Sequence, residues 1–171
     1  AARSLNNGEV HYTSNYGIPL LREAISDKLK RDNQLNFNPQ TEIIVTAGVS
    51  EGIMITMMAL LNPGDEVLVC EPLFPAYQMA ARMAGAVVVT VPVSAGNGYQ
   101  PTPADLLSRL SNRTRMMIVT TPGNPTGVVT SKATLLMMAN FAIEHDLVVM
   151  SDEIYEKLIY DGLAHISIAS L

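Results

Sequence analysis

Five short apolar runs alternate with longer stretches of helical character, and this alternation constrains the chain more than any other feature of its 171 residues. The runs are Glu42–Thr46, Glu66–Cys70, Ala86–Val91, Arg115–Thr120 and Leu147–Ser151. They are apolar without a period of two, as strands covered on both faces are, and such strands belong to parallel sheets. The helical stretches are Ile18–Arg31, Ser50–Leu61, Pro75–Ala84, Pro103–Leu110 and Ser131–His145. Thr102 is placed to cap the helix that opens with Pro103, and Ser131 or Thr130 to cap the next. The pattern predicts an α/β fold with a mainly parallel sheet between two helical layers. In such sheets ligands collect beyond the carboxyl ends of the strands, so the loops after each run are the places to look for chemistry.

Composition narrows the function classes. A net charge of -5 with scattered Lys and Arg offers no basic face for nucleic acid or an anionic membrane. The longest apolar stretch, Ile53 to Leu61, is too short to span a bilayer, and residues 1–7 carry no apolar leader segment. The single cysteine, Cys70, excludes an internal disulfide and reads as a small core residue in a reduced, cytoplasmic setting. The ten methionines are spaced as core filling.

Four loops carry candidate chemistry. After the first run, Thr46-Ala47-Gly48-Val49-Ser50-Glu51-Gly52 turns into a helix. A glycine turn at a helix N-terminus presents free N–H groups and the positive end of the dipole, which suits a phosphate; taken alone, these residues favour an ordinary turn with Ser50 as the N-cap. After the second run, Pro72 and Pro75 stiffen the path around Phe74, which either offers a flat face to a ring or fills a satellite core. After the fourth, Pro122-Gly123-Asn124-Pro125-Thr126-Gly127 holds Asn124 on a rigid loop with both donor and acceptor groups. After the fifth comes Ser151-Asp152-Glu153-Ile154-Tyr155. A carboxylate directly behind an apolar strand is partly buried and needs a partner; a cationic heteroaromatic nitrogen is one answer and a helix-capping role is the other.

Taken together and in this order, these loops resemble the class I/II aminotransferases of pyridoxal-phosphate (PLP) fold type I, the aspartate-aminotransferase-like group. Also similar are Tyr12-Thr13-Ser14-Asn15-Tyr16-Gly17 ahead of Leu21-Arg22-Glu23-Ala24-Ile25, the turn Asn62-Pro63-Gly64-Asp65, and Glu71-Pro72-Leu73-Phe74-Pro75-Ala76-Tyr77. The resemblance runs from about Tyr12 to the end. It implies that Val49 and Ser50 hold the cofactor phosphate and that Phe74 stacks on the pyridine ring. It further implies that Asn124 and Tyr155 bond the ring's phenolic oxygen, that Asp152 pairs with the protonated ring nitrogen, and that Tyr12 reaches the phosphate of the other subunit of a homodimer. The substrates it implies are an amino acid and a 2-oxo acid.

The resemblance also says what to expect of the architecture. Residues 1–40 are an N-terminal segment leading into the large domain, and residues 41–171 are part of the three-layer αβα PLP-binding large domain, incomplete. The family's Schiff-base lysine and its substrate-carboxylate arginine lie beyond the Asp-Glu-Ile-Tyr motif and are not among these residues, so no catalytic residue is assigned here. The expectation is a fragment of a longer polypeptide, inactive by itself. Other fold-type-I enzymes, such as a C–S lyase or a decarboxylating synthase, share these loops, and so does a non-catalytic ligand-binding module. His11, His145 and His165 match no catalytic pattern.

Overall fold

The computed structural model describes residues 2–8 and 10–171. The chain divides into two compact units, Ala1–Thr46 and Ala47–Leu171.

The first unit carries a short helix α1 (Ala2–Asn6) and a longer one, α2 (Pro19–Asn33). Pro19 opens α2, where its missing N–H costs nothing. Gln34 ends it in the left-handed conformation, with φ 60°. The buried Arg22 ties α2 to the following loop by donating from Nη1 to the carbonyls of Pro39 (2.9 Å) and Gln40 (3.2 Å).

The run Glu42–Thr46, expected as a strand, is not one. Its Val45 N–H bonds the carbonyl of Tyr16 at 3.0 Å, but no ladder follows, and Ile44 is 55% exposed. The apolar pattern reports a preference for extended, covered backbone, whereas a strand also requires a neighbouring strand to take its hydrogen bonds. Gly17 fits this approach: at φ +94° any Cβ would lie 2.6 Å from the Val45 side chain.

The second unit is a four-stranded, wholly parallel sheet in the order β2-β1-β3-β4, built from β1 (Glu66–Glu71), β2 (Val87–Pro92), β3 (Thr114–Thr120) and β4 (Val148–Asp152). Helix α3 (Val49–Leu60) precedes β1, and α4 (Ala76–Met83), α5 (Pro103–Leu107) and α6 (Lys132–Glu144) are the three crossovers. Successive side chains of a strand point to opposite faces, and here both faces are covered. Val67, Val69, Met116 and Ile118 pack with Ile53, Met57, Tyr77, Ala80 and Ala81 of α3 and α4. Leu68, Met117 and Val119 pack with Leu106, Leu135, Met138 and Phe141 of α5 and α6. This is the three-layer arrangement the sequence implied. Cys70 packs against the second of these clusters, half-buried, and burial pushes its thiol up to about 11. Among the described residues no helix is long and apolar enough to cross a membrane.

Local signals set the helix ends. Thr102 and Asp105 form a reciprocal capping box on α5, and Ser131 rather than Thr130 caps α6, accepting from the Thr134 N–H. At the head of β1, the buried Glu66 accepts hydrogen bonds from the Ser111 hydroxyl and from Arg113 Nε (2.9 Å). The Ser111 bond holds this carboxyl below its usual range; burial opposes it and Arg113 assists. A carboxylate depressed in the folded state adds stability that is fully present above the unfolded value of about 4.3. That stability is lost as the pH falls through the lower folded value. Glu66→Gln is therefore expected to lower the urea midpoint at neutral pH and to narrow the gap to the parent protein as the solution is acidified. An equal gap from pH 7 to pH 3 contradicts the assignment.

Candidate functional site

The carboxyl ends of β1, β3 and β4 bring together residues that are far apart in sequence. β4 ends on Asp152, which is 6% exposed. Its Oδ2 accepts a hydrogen bond from the Tyr77 hydroxyl at 2.8 Å, and its Oδ1 accepts one from the Ile154 N–H at 3.2 Å. Both donors are neutral. Among the described residues no lysine, arginine or histidine pairs with this carboxylate. A buried, unpaired charge is costly unless a cation or further donors meet it. Asp152 is thus a buried carboxylate whose protein partners are both uncharged. The capping alternative is partly present, because the Ile154 bond is a turn-capping contact.

Tyr77 comes from α4, one turn after the Glu71-Pro72-Leu73-Phe74 loop, and is 1% exposed. Its oxygen also lies 2.8 Å from Thr120 Oγ1, at the end of β3. The phenol has one proton, and it is donated to the Asp152 carboxylate. Thr120 therefore donates to Tyr77, and Tyr77 donates to Asp152. Burial raises the Tyr77 phenol well above its ordinary value; the Thr120 bond opposes this, and the Asp152 carboxylate adds to it. Tyr77 is a neutral donor at every physiological pH. Sequence reading quoted this tyrosine inside a motif but gave it no role. The available signal was a lone polar atom on an otherwise apolar helix face, which needs a buried partner.

Phe74 is half-buried and meets the Tyr77 ring edge-to-face, with centroids 5.8 Å apart and planes at 89°. Asn124 is half-buried and lines one cavity with Tyr77, Thr120 and Gly123. Its loop is pinned by Gly123 N–H to the Val128 carbonyl (2.9 Å), by Thr130 N–H to Thr121 Oγ1 (3.0 Å), and by Thr121 N–H to the Asp152 carbonyl (3.1 Å). The last of these joins the Asn124 loop to the end of β4. Tyr155 lies in the turn after Asp152, half-buried. Among the described residues neither the Asn124 amide nor the Tyr155 hydroxyl has a protein hydrogen-bond partner.

Val49 and Ser50 are the first two residues of α3, behind Gly48 at φ +83°. Their N–H groups precede the first turn of intrahelical bonding. Gly48 is the N-cap of α3, and Glu51 in the first turn reaches back to accept the Ala47 N–H, so Ser50 is not the N-cap. Val49 packs against the same apolar cluster as Phe74 and Tyr77; Ser50 is exposed and makes no hydrogen bond to Asp152, Asn124 or Tyr155. Tyr12 belongs to the first unit and is fully exposed.

The residue after Asp152 has its own network, which sequence reading missed. Glu153 bonds His165 Nε2 at 2.8 Å and accepts from the Ser151 (2.7 Å) and Ser167 (2.8 Å) hydroxyls. It clamps the segment after β4 onto residues 165–167 and so fixes the turn that carries Tyr155. His165, without a catalytic pattern in sequence, is a structural partner here.

All 171 residues match the family model for aminotransferase class I and II. The chain is 40% identical to the aromatic-amino-acid aminotransferase 2 of Thermococcus litoralis, over its whole length and 44% of the relative's. It is 42% identical to an aspartate aminotransferase of Pyrococcus abyssi, over its whole length and 44% of that relative's. Among solved structures, an aromatic aminotransferase from Pyrococcus horikoshii OT3 matches with a TM-score of 0.96 at 40% identity, covering 99% of this chain and 46% of that one. Thermus thermophilus aspartate aminotransferase with maleate matches with a TM-score of 0.93 at 40% identity, covering 99% and 44%. The chain thus spans less than half the length of these curated relatives.

Proposed function

This chain belongs to the class I and II aminotransferases, and on that footing we propose that it forms the cofactor cradle of a PLP-dependent enzyme moving an amino group between an amino acid and a 2-oxo acid. Residues 41–171 supply part of the cofactor-binding large domain and residues 1–40 lead into it. The working protein is a cytoplasmic homodimer, with Tyr12 reaching the phosphate held by the partner subunit. These 171 residues do not transaminate alone.

One observation carries this reading: a buried carboxylate held only by neutral donors at the carboxyl end of a parallel strand. The donor set fits PLP. A protonated pyridine nitrogen is the cation Asp152 lacks, and Asn124 and Tyr155 have unshared polar groups for the ring oxygen. The α3 N-terminus at Val49 and Ser50 suits a phosphate. When bound, PLP supplies an electron sink that stabilises negative charge at the substrate's α-carbon.

The chain's own contribution is positioning and electrostatics. Asp152 keeps a proton on the ring nitrogen, because an opposite charge close by favours the protonated form. Phe74 presents an aromatic face and excludes water from one side of the ring. Asn124 and Tyr155 orient the ring by its oxygen, each from a loop fixed by the bonds described above. Val49 and Ser50 anchor the far end.

The test is spectroscopic. The protein that carries this segment, loaded with PLP, is expected to show a cofactor absorption band that shifts on adding an amino acid and returns on adding a 2-oxo acid. A band indifferent to both contradicts an aminotransferase and favours a non-catalytic binding module.

A further inference from the structure

The bond between Tyr77 and Asp152 reaches beyond the residues assigned to the cofactor. Tyr77 sits under the sheet's carboxyl edge, on α4, and every polar contact it makes is intramolecular. It is among the largest fully buried side chains, and its ring packs within the apolar cluster shared by α3, α4, β1 and β3. The hydroxyl is the exception to that apolar setting. A tyrosine there rather than a phenylalanine brings a polar atom into the core, and that atom gives its one proton to a carboxylate while accepting from Thr120.

Geometry shows what this accomplishes. A carboxylate at a strand end can rotate about its last bond. The Tyr77 hydroxyl fixes Oδ2 at 2.8 Å and the Ile154 N–H fixes Oδ1 at 3.2 Å, so both oxygens are tethered and the plane of the group is set. Each oxygen keeps a further lone pair for a ligand. Thr120 Oγ1, donating to the phenol oxygen, orients the phenol proton and polarises the chain of bonds. The edge-to-face contact with Phe74 ties the same tyrosine to the aromatic face of the site.

We propose that Tyr77, oriented by Thr120, is a positioning residue that holds the Asp152 carboxylate in the plane and position from which it meets the cofactor's ring nitrogen. This rests on the PLP reading above. The relay Thr120–Tyr77–Asp152 makes the ring-nitrogen contact depend on α4 and β3 as well as on β4. Its loss lets the carboxylate rotate, weakening its hold on the cationic nitrogen without removing any group that touches the cofactor.

The experiment uses the PLP-loaded protein that carries this segment, with the cofactor labelled with ¹⁵N at the ring nitrogen. The nitrogen's resonance is followed against pH in the parent, Tyr77→Phe, Thr120→Val and Thr120→Ser. The parent is expected to show a protonated nitrogen at neutral pH. Tyr77→Phe is expected to lower the titration midpoint by about one pH unit, the loss of one hydrogen bond to a charged group. Thr120→Val is expected to shift it less and in the same direction, and Thr120→Ser to restore it. Tyr77→Phe is also expected to have no further effect in an Asp152→Asn background, because the two act as one unit. A merely structural tyrosine leaves the midpoint in place while lowering the melting temperature. Should Tyr77→Phe fail to fold, Thr120→Val against Thr120→Ser carries the same test from the sheet side. A protonated nitrogen in the parent with unchanged midpoints in the variants overturns this inference alone. An unprotonated nitrogen in the parent overturns the PLP reading of Asp152 and this inference with it.

Discussion

Asp152→Asn in the PLP-loaded protein is expected to reduce turnover by on the order of 10²–10³-fold, the usual cost of removing one preorganised electrostatic group from a site. Asparagine keeps the shape and one acceptor oxygen, so the Tyr77 hydroxyl retains a partner and the fold is expected to persist. What disappears is the negative charge. Cofactor affinity should fall much less than turnover, because the phosphate and ring contacts at Val49, Ser50, Phe74 and Asn124 are untouched. Asp152→Ala adds a second effect. It leaves the Ile154 N–H without its acceptor and the Tyr77 hydroxyl with only Thr120, and so lowers the melting temperature too. The measurement is kcat beside the cofactor dissociation constant for both variants. Unchanged kcat in either variant removes Asp152 from the ring nitrogen.

The second large effect concerns stability. Leu68 lies on β1, which has hydrogen-bonded neighbours on both sides, and its side chain is 0% exposed. It packs with Met117, Leu106, Leu135 and Phe141 on one face of the sheet. Leu68→Ala removes that packing and opens a cavity the surrounding strands cannot close, at a cost of about 2–5 kcal/mol. Val87, on the edge strand β2 and 52% exposed, is the internal comparison, and Val87→Ala should cost under about 1 kcal/mol. Urea unfolding of the protein that carries this segment reads both. A Leu68→Ala cost no greater than that of Val87→Ala would mean that this sheet face is not the core.

Much of this was legible in the sequence. Four of the five apolar runs are strands, because their lack of alternation reflects burial by helices on both sides, and each found a parallel neighbour. Glu42–Thr46 has the same pattern but no ladder, and sequence alone cannot say which strand a run will pair with. Asp152 was readable because a carboxylate behind Val148-Val149-Met150 has to be partly buried. Its partner was not, since Tyr77 lies 75 residues away and reaches it only through the crossing of α4 beneath the sheet edge. The Glu153–His165 clamp was hidden for the same reason: its members are separated in sequence by a loop of no regular structure. Pairings of this kind depend on tertiary placement, which local pattern does not encode.

The most direct test of the central claim is the crystal structure of the PLP-loaded protein that carries this segment. It is predicted to place an Asp152 oxygen within about 3 Å of the ring nitrogen. Phe74 should lie against the ring face and the Tyr77 hydroxyl should still be on the Asp152 carboxylate. A cofactor bound elsewhere, or a ring nitrogen facing solvent with Asp152 satisfied by protein groups alone, would contradict the account.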